Sequence, residues 1–266
     1  KLQRADGGWQ GGRVGEERSS VVFNTAQVIR GMLSVHQRTK DDRYLRAARK
    51  AGDWIVSAQE ADGTWGRSNF MGVARVYDSY VDAPLLQLYG ITGEFSFKHA
   101  ALRNLEWVVE RQQPNGWFAD ADNTVRHNDR PIIHTIAYTI DGLADCGTLL
   151  NDVGLLDSAH RAAGPLRDIF LRDGRLNGRY DRSWQGSEAL INTGCAQLCI
   201  AWEKLAQHTE AHAYRTAAVR MRMLLVELQQ RSSEGPVQGH GALTGSFPLW
   251  GRYEKFAFPN WGTKYF

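Results

Sequence analysis

The chain has 266 residues, 42% hydrophobic and 23% charged, a balance that fits a folded domain with a large core. Its net charge of +3 comes without any block of like charges, which leaves nucleic-acid binding without an electrostatic footprint. No apolar run approaches the ~18 residues of a membrane span, so no transmembrane segment is expected.

Helical segments follow in pairs. Residues 22–37 (VFNTAQVIRGMLSVHQ) are small and apolar, whereas 42–59 (DRYLRAARKAGDWIVSAQ) are charged and amphipathic, with Leu45, Ala48, Ala51 and Ile55 on one face. The same couple returns as 78–90 with 96–112, as 132–148 with 155–172, and as 188–206 with 210–230. Connections within a pair are short: 38–42, 91–95 and 207–211. Those between pairs are long and punctuated by Gly, Pro, Asn and Asp: 60–77, 113–131, 173–187 and 231–259. Strand alternation is nearly absent. The expectation is an all-α fold with an inner ring of apolar helices inside an outer ring of charged ones. All the long connections then lie at one end, and long structured loops are where function concentrates.

A second periodicity marks the ends of the charged helices. Residues 2–9 read LQRADGGW, 58–65 read AQEADGTW and 111–117 read RQQPNGW. Taken alone, each is a helix end with a turn glycine and a packed Trp. Together, Gln59, Gly63 and Trp65 after KAGDWI, Gln112, Gly116 and Trp117 after Trp107-Val108, and the tail Gln3, Gly7 and Trp9 resemble the QW repeat of squalene cyclases. Asn177-Gly178-Arg179-Tyr180 is a degenerate fourth copy. The resemblance covers most of the chain and implies the α/α toroid of terpenoid cyclases and protein prenyltransferases. It implies four complete helix pairs with partial repeats at both ends, in a single domain over 1–266 that is expected to be part of a longer chain.

The inner helices begin at Asn24-Thr25, Asp78-Ser79, His134-Thr135 and Asn192-Thr193, with Asn260 starting a possible fifth. Such residues favour N-caps, since their side chains accept from free backbone N–H groups. For His134, Pro131 suits the first helical position and Asp129 the cap, which would place the ring at the mouth. Converging helix N-termini favour an anionic ligand, such as a uronate carboxylate or a phosphate. The expected catalytic candidates are Asp78, Tyr80, His134, Tyr138 and Glu188. The expected substrate contacts are Asn24, Arg75, Arg182, Trp184, Asn192, Arg252 and Trp261. The aromatic residues of 242–261 serve either as sugar platforms or as a plug that ties the loop to the core.

Several chemistries stay open. Terpenoid cyclisation uses an Asp-rich DxDD motif, and the nearest run here is Asp120-Ala121-Asp122-Asn123, which reads equally as a polar turn. The zinc patterns of protein prenyltransferases and lanthionine cyclases are absent, and no metal or other cofactor is implied. PNGWFADADN, HTIAYTIDGL, INTGCAQL and FPNWGTKYF resemble an uncharacterised bacterial group encoded in exopolysaccharide or lipopolysaccharide gene clusters. That likeness implies a polysaccharide or glycan-precursor partner. A lyase or epimerase needs a base, an acid and a group that holds a carboxylate, roles open to His134, Tyr138, Tyr80 and an Arg. A glycosidase needs two carboxylates, and Asp78 with Glu188 is the pair on offer. A non-catalytic glycan-binding scaffold is the remaining reading, and the oligomeric state is left open. Cys146, Cys195 and Cys199 form no disulfide framework, which points to a reducing, cytoplasmic compartment. The first residue is Lys rather than Met, so an exported form stays open too.

Overall fold

The computed structural model describes residues 2–126, 129–208, 212–233 and 240–266. Nine α-helices are described: α1 (Val22–Thr39), α2 (Asp42–Ala58), α3 (Ser79–Thr92), α4 (Phe95–Val109), α5 (Ile133–Leu150), α6 (Val153–Asp173), α7 (Asn192–Leu205), α8 (His212–Ser233) and α9 (Asn260–Tyr265). Two short antiparallel pairs lie in the connections: β1 (Arg179–Tyr180) with β2 (Gly186–Ser187), and β3 (Leu190–Ile191) with β4 (Ser246–Phe247). The third inner-to-outer pair ends as expected, but α7 starts four residues later than its pattern predicts. The reason is that 188–189 bend between β2 and β3 and 190–191 form β3. Of the expected 207–211 connection, 209–211 lie outside the described residues, as do the expected start of α8 at 210 and parts of the 113–131 and 231–259 loops.

The architecture is an α/α toroid. Helices α1, α3, α5, α7 and α9 pack side by side in that order as the inner ring, and α2, α4, α6 and α8 flank them outside. The ring closes where Lys264 Nζ of α9 donates to Gln27 Oε1 of α1 at 2.8 Å. The central inner helix is apolar on every side because it is wrapped on every side: α5 buries fourteen of its residues. Outer helices bury one stripe, as with Ala48, Ala51, Gly52 and Ile55 of α2. Among the described residues, no helix is long and apolar enough to cross a membrane.

The repeated Gln and Gly fix the angle between successive outer helices. Gln3 Nε2 donates to the carbonyls of Gly7 and Ala47, Gln59 Nε2 to those of Gly63 and Ala100, and Gln112 Nε2 to those of Gly116 and Ser158, all within 3.2 Å. Each amide thus ties its own turn to the middle of the next outer helix. Gly63 (φ +87°) and Gly116 (φ +89°) take left-handed turns against the backbones of Arg103 and Arg161, where a Cβ would collide with a carbonyl oxygen. Pro165, inside α6, has no N–H to give the carbonyl of Arg161 four residues earlier, which leaves that carbonyl bare beneath Gly116. Pro84 does the same in α3: the freed carbonyl of Tyr80 accepts from Arg30 Nη2 at 3.1 Å. Two helix-interior prolines therefore open backbone carbonyls where neighbouring elements approach closely, and at Tyr80 a neighbour bonds to it.

Candidate active site

The long connections gather at the end of the toroid where the inner helices begin. Between the starts of α1, α3 and α5 is a cavity of about 310 Å³. Phe23 and Asn24 from the first turn of α1, Tyr77 from the turn ahead of α3, and His134 and Tyr138 from α5 line it. Arg18, Asn69 and Asn123 come in from the loops. Of the polar residues at the helix starts, Asn24 and His134 reach the cavity, and none of them caps its helix. The N-cap positions of α1, α5 and α7 fall on Val21, Ile132 and Ile191, and Asp78, at the cap of α3, makes no capping bond. The expected Asp129 cap with Pro131 at the first helical position is therefore corrected, since α5 begins at Ile133. Asn24 is the third residue of α1 and faces the cavity instead.

His134 is buried and held on one side. Its Nδ1 lies 2.7 Å from Gln197 Oε1 on α7, an acceptor, so Nδ1 carries the proton and Nε2 keeps its lone pair. Burial is the main cause that pushes the imidazolium down to about 4; the Gln197 contact opposes this and Lys264 reinforces it. The ring is thus neutral across the physiological range. Four residues on, one turn along the same face, the Tyr138 ring lies 4.6 Å from the His134 ring. The Tyr138 hydroxyl bonds to the Tyr265 hydroxyl of α9 at 2.9 Å, and burial holds the phenol above its ordinary range, so it stays protonated.

Beneath the cavity the aromatic rings close the toroid's centre. Phe23 meets Tyr77, Tyr80 and Tyr138 at 5.4, 6.0 and 4.8 Å between ring centres, and Tyr80 meets Tyr138 at 4.9 Å. Tyr80 lies in this floor rather than on the cavity wall, with the Arg30 guanidinium 3.8 Å over its ring. Arg30 also pairs with Asp145 at 2.9 Å, and Lys204 Nζ bridges Asp145 (2.7 Å) and Asp141 (2.5 Å). This network ties α1, α5 and α7 together below the floor.

Asp78 stands behind the wall. It is 1% exposed; Asn69 Nδ2, whose residue lines the cavity, donates to its Oδ2, and its Oδ1 has no partner among the described residues. Burial pushes its carboxyl up to about 8, against the pull of Asn69 and Arg75, so it stays largely protonated near neutrality.

The other expected residues go elsewhere. Arg75 is buried, and its Nη2 donates to the carbonyls of Val125 and Arg126, so it fastens a loop instead of meeting a ligand. Glu188 sits between β2 and β3 in ion pairs with Arg179 (3.2 Å) and Arg252 (3.4 Å), away from the cavity wall. The two-carboxylate pairing of Asp78 with Glu188 is not assembled at the cavity. Asn192 donates to Thr244, Arg182 is exposed, Trp184 lines a separate outer cleft, and Trp261 donates its indole N–H to Tyr253 at 2.8 Å. Asp122 is buried and accepts from Thr124 and Arg179, which makes it a loop anchor rather than an acid in the cavity. Sequence reasoning did not single out Arg18, Asn69, Gln197 or Tyr265. Only Gln197 left a signal, as a lone amide inside the apolar run CAQLCI.

Comparison with known proteins gives two kinds of likeness. The family described as the squalene-hopene cyclase C-terminal domain matches residues 1–142. Lanosterol synthase erg7A of Aspergillus fumigatus is 26% identical over 129 residues, 46% of this chain and 16% of that protein. The match thus spans a small fraction of that relative. Among solved structures, cellobiose 2-epimerase from Spirochaeta thermophila DSM 6192 superposes with a TM-score of 0.73 at 11% identity, over 95% of this chain and 68% of that one. Unsaturated glucuronyl hydrolase from Bacillus sp. GL1 gives 0.71 at 14%, over 92% and 71%. The GH76A α-1,6-mannanase of Salegentibacter sp. HEL1_6 gives 0.68 at 15%, over 90% and 71%. At these identities the likeness to solved structures shows the shared fold.

Proposed function

The chain belongs to the squalene-hopene cyclase C-terminal domain family, and on that frame we propose a glycan-processing enzyme of bacterial polysaccharide metabolism, with 1–266 as one toroid domain. The substrate is a uronate-type sugar held in the mouth cavity, and the chemistry is proton abstraction next to its carboxylate. The observation that carries this is the cavity itself. An aromatic wall of Phe23, Tyr77 and Tyr138 faces the amides of Asn24, Asn69 and Asn123, beside a neutral imidazole pinned by Gln197. A volume of about 310 Å³ at an open mouth suits a sugar ring, and aromatic faces with nearby amides match its apolar face and hydroxyl edge.

The roles follow from protonation. His134 Nε2 takes the proton from the carbon α to the carboxylate. Arg18 and the Asn24 and Asn69 amides hold the carboxylate as charge moves onto it. The protonated Tyr138, on the same helix face as His134, gives its proton to the leaving oxygen on that side, which is β-elimination; epimerisation instead takes its second proton from the opposite wall. Hydrolysis is less well supported, since none of the residues that line the cavity is Asp or Glu. The isoprenoid reading is supported by the family match and by the Phe23, Tyr77, Tyr80 and Tyr138 cluster beside a carboxyl, Asp78, raised to about 8.

The test is incubation with polygalacturonate and alginate in deuterated water. Solvent deuterium entering the uronate, or new absorbance from an unsaturated uronate, is expected with wild type and absent with His134→Ala. Arg18→Gln should raise KM for the uronate about tenfold, as expected for loss of one charged contact. Binding without exchange or cleavage would leave a scaffold. Conversion of squalene by the same preparation, with both uronates untouched, would shift the assignment to the isoprenoid reading.

A further inference from the structure

A depression on the outer wall lies apart from the mouth. It has a volume of about 500 Å³ and runs between α6 (Pro165, Asp168, Ile169, Arg172) and the hairpin of β1 and β2 (Asn177, Tyr180, Ser183, Trp184, Gln185). It shares no lining residue with the mouth cavity. We propose that this cleft is a second carbohydrate site, which grips an uncharged stretch of polysaccharide on the rim of the toroid.

Trp184 is the platform. Its φ is +59°, a left-handed conformation that a bulky aromatic residue seldom adopts, and the turn around it is built to hold it there. Asp181 Oδ1 accepts from the backbone N–H groups of Ser183 and Gln185, and the Trp184 N–H donates to the Asp181 carbonyl at 2.8 Å. The indole N–H then donates to the Asn115 carbonyl at 3.0 Å, which fixes the ring by one edge while it remains half-buried in the cleft. An aromatic ring anchored by its edge loses little freedom when a sugar stacks on it.

The rest of the lining matches hydroxyl groups better than a formal charge. Arg172 pairs with Asp173 at 2.7 Å and Asp168 with Arg167 at 2.7 Å, so the charges on the α6 side are balanced before any ligand arrives. Ser183 and Gln185 are exposed and bring both donors and acceptors. The same hairpin carries Arg179, which is tied to Asp122 and Glu188 in the loops that surround the mouth. A chain gripped at Trp184 is thereby tethered beside the mouth, which raises the local concentration of its sugars there. This site shares the glycan ligand class with the reading above but none of its chemistry.

Calorimetric titration with cellohexaose, mannohexaose and an isomaltohexaose tests it. At least one should bind wild type, and Trp184→Ala should weaken that binding roughly tenfold, the scale of one lost stacking contact. Gln185→Ala alters an exposed residue and leaves the fold intact; it should weaken binding about three- to fivefold, as for one lost hydrogen bond. His134→Ala should leave the affinity unchanged, whether or not it abolishes turnover on uronates. The proposal is overturned if none of the three sugars binds, if both cleft variants bind as wild type does, or if His134→Ala alone removes binding.

Discussion

Replacing Gln197 by Glu puts a carboxylate where an amide oxygen now sits 2.7 Å from His134 Nδ1. The imidazolium is held down to about 4 chiefly by burial, so a buried counter-charge acts directly on the cause. At a charge separation of ~4 Å and an effective dielectric of ~20, the attraction is about 4 kcal/mol. Divided by 1.36 kcal/mol per unit, that is roughly 3 units, and about 2 remain after the cost of charging the new carboxylate in the same surroundings. The His134 imidazolium should therefore move from about 4 to roughly 6. A ring that keeps its proton to higher pH is lost as a base below that pH, so the acid limb of kcat/KM should move up by the same amount. The direct assay is a pH titration of the His134 ring carbon and nitrogen signals by NMR, which needs no substrate. If the ring in Gln197→Glu titrates within half a unit of wild type, Gln197 does not govern His134 and the coupling between them is refuted.

Asp78 gives a pH-dependent stability. Its carboxyl is raised from 3.8 to about 8 when folded, so between those values the folded chain holds a proton the unfolded chain has released. Stability therefore falls as pH rises through this window, by on the order of 5 kcal/mol at its upper end. Asp78→Asn should unfold at higher urea than wild type at pH 9 and near the wild-type midpoint at pH 4; parallel pH profiles would contradict this. Gly116→Ala places a methyl on the Arg161 carbonyl at a φ of +89° and should cost more than about 3 kcal/mol, whereas Gly174→Ala, at φ +69° in open space, should cost about 1. Urea unfolding of both variants separates close packing from backbone conformation. Lys204→Met keeps the aliphatic stem but strands Asp141 beside Asp145, and should cost 3–5 kcal/mol at pH 7, with recovery as the carboxylates protonate in acid.

Local pattern carried much of the architecture. The alternation of apolar with amphipathic segments marks α3 and α5 as wrapped and α2 as facing water on one side, because a wrapped helix has no polar side to spare. The spacing of Gln3, Gln59 and Gln112 from their glycines marks where each outer helix meets the next. His134 and Tyr138 were legible as a pair because four residues on one helix must share a face. Their helix start faces the loops, so the cavity's end of the toroid followed too. Asn24, Asp78 and Asn192 looked like caps by residue type, yet α1 and α7 begin ahead of the position that would make Asn24 and Asn192 caps, and Asp78, at the cap position of α3, makes no capping bond.

What sequence could not decide was where a loop side chain ends up. Arg18 and Arg75 are both arginines near an inner-helix start, but one lines the cavity and the other holds the carbonyls of Val125 and Arg126. Trp184 and Tyr77 are both aromatic residues on long connections, but they face different clefts. The difference lies in contacts between residues more than sixty positions apart, such as Asn115 with Trp184 and Gln197 with His134, which no local spacing encodes. The sequence alone determined a toroid with its long connections at one end, because periodicity and turn residues act within a few residues of themselves. Only the tertiary structure decided that His134 is neutral and pinned, that Asp78 keeps its proton, and that Glu188 is occupied by arginines, because burial and charge pairing are properties of the assembled ring.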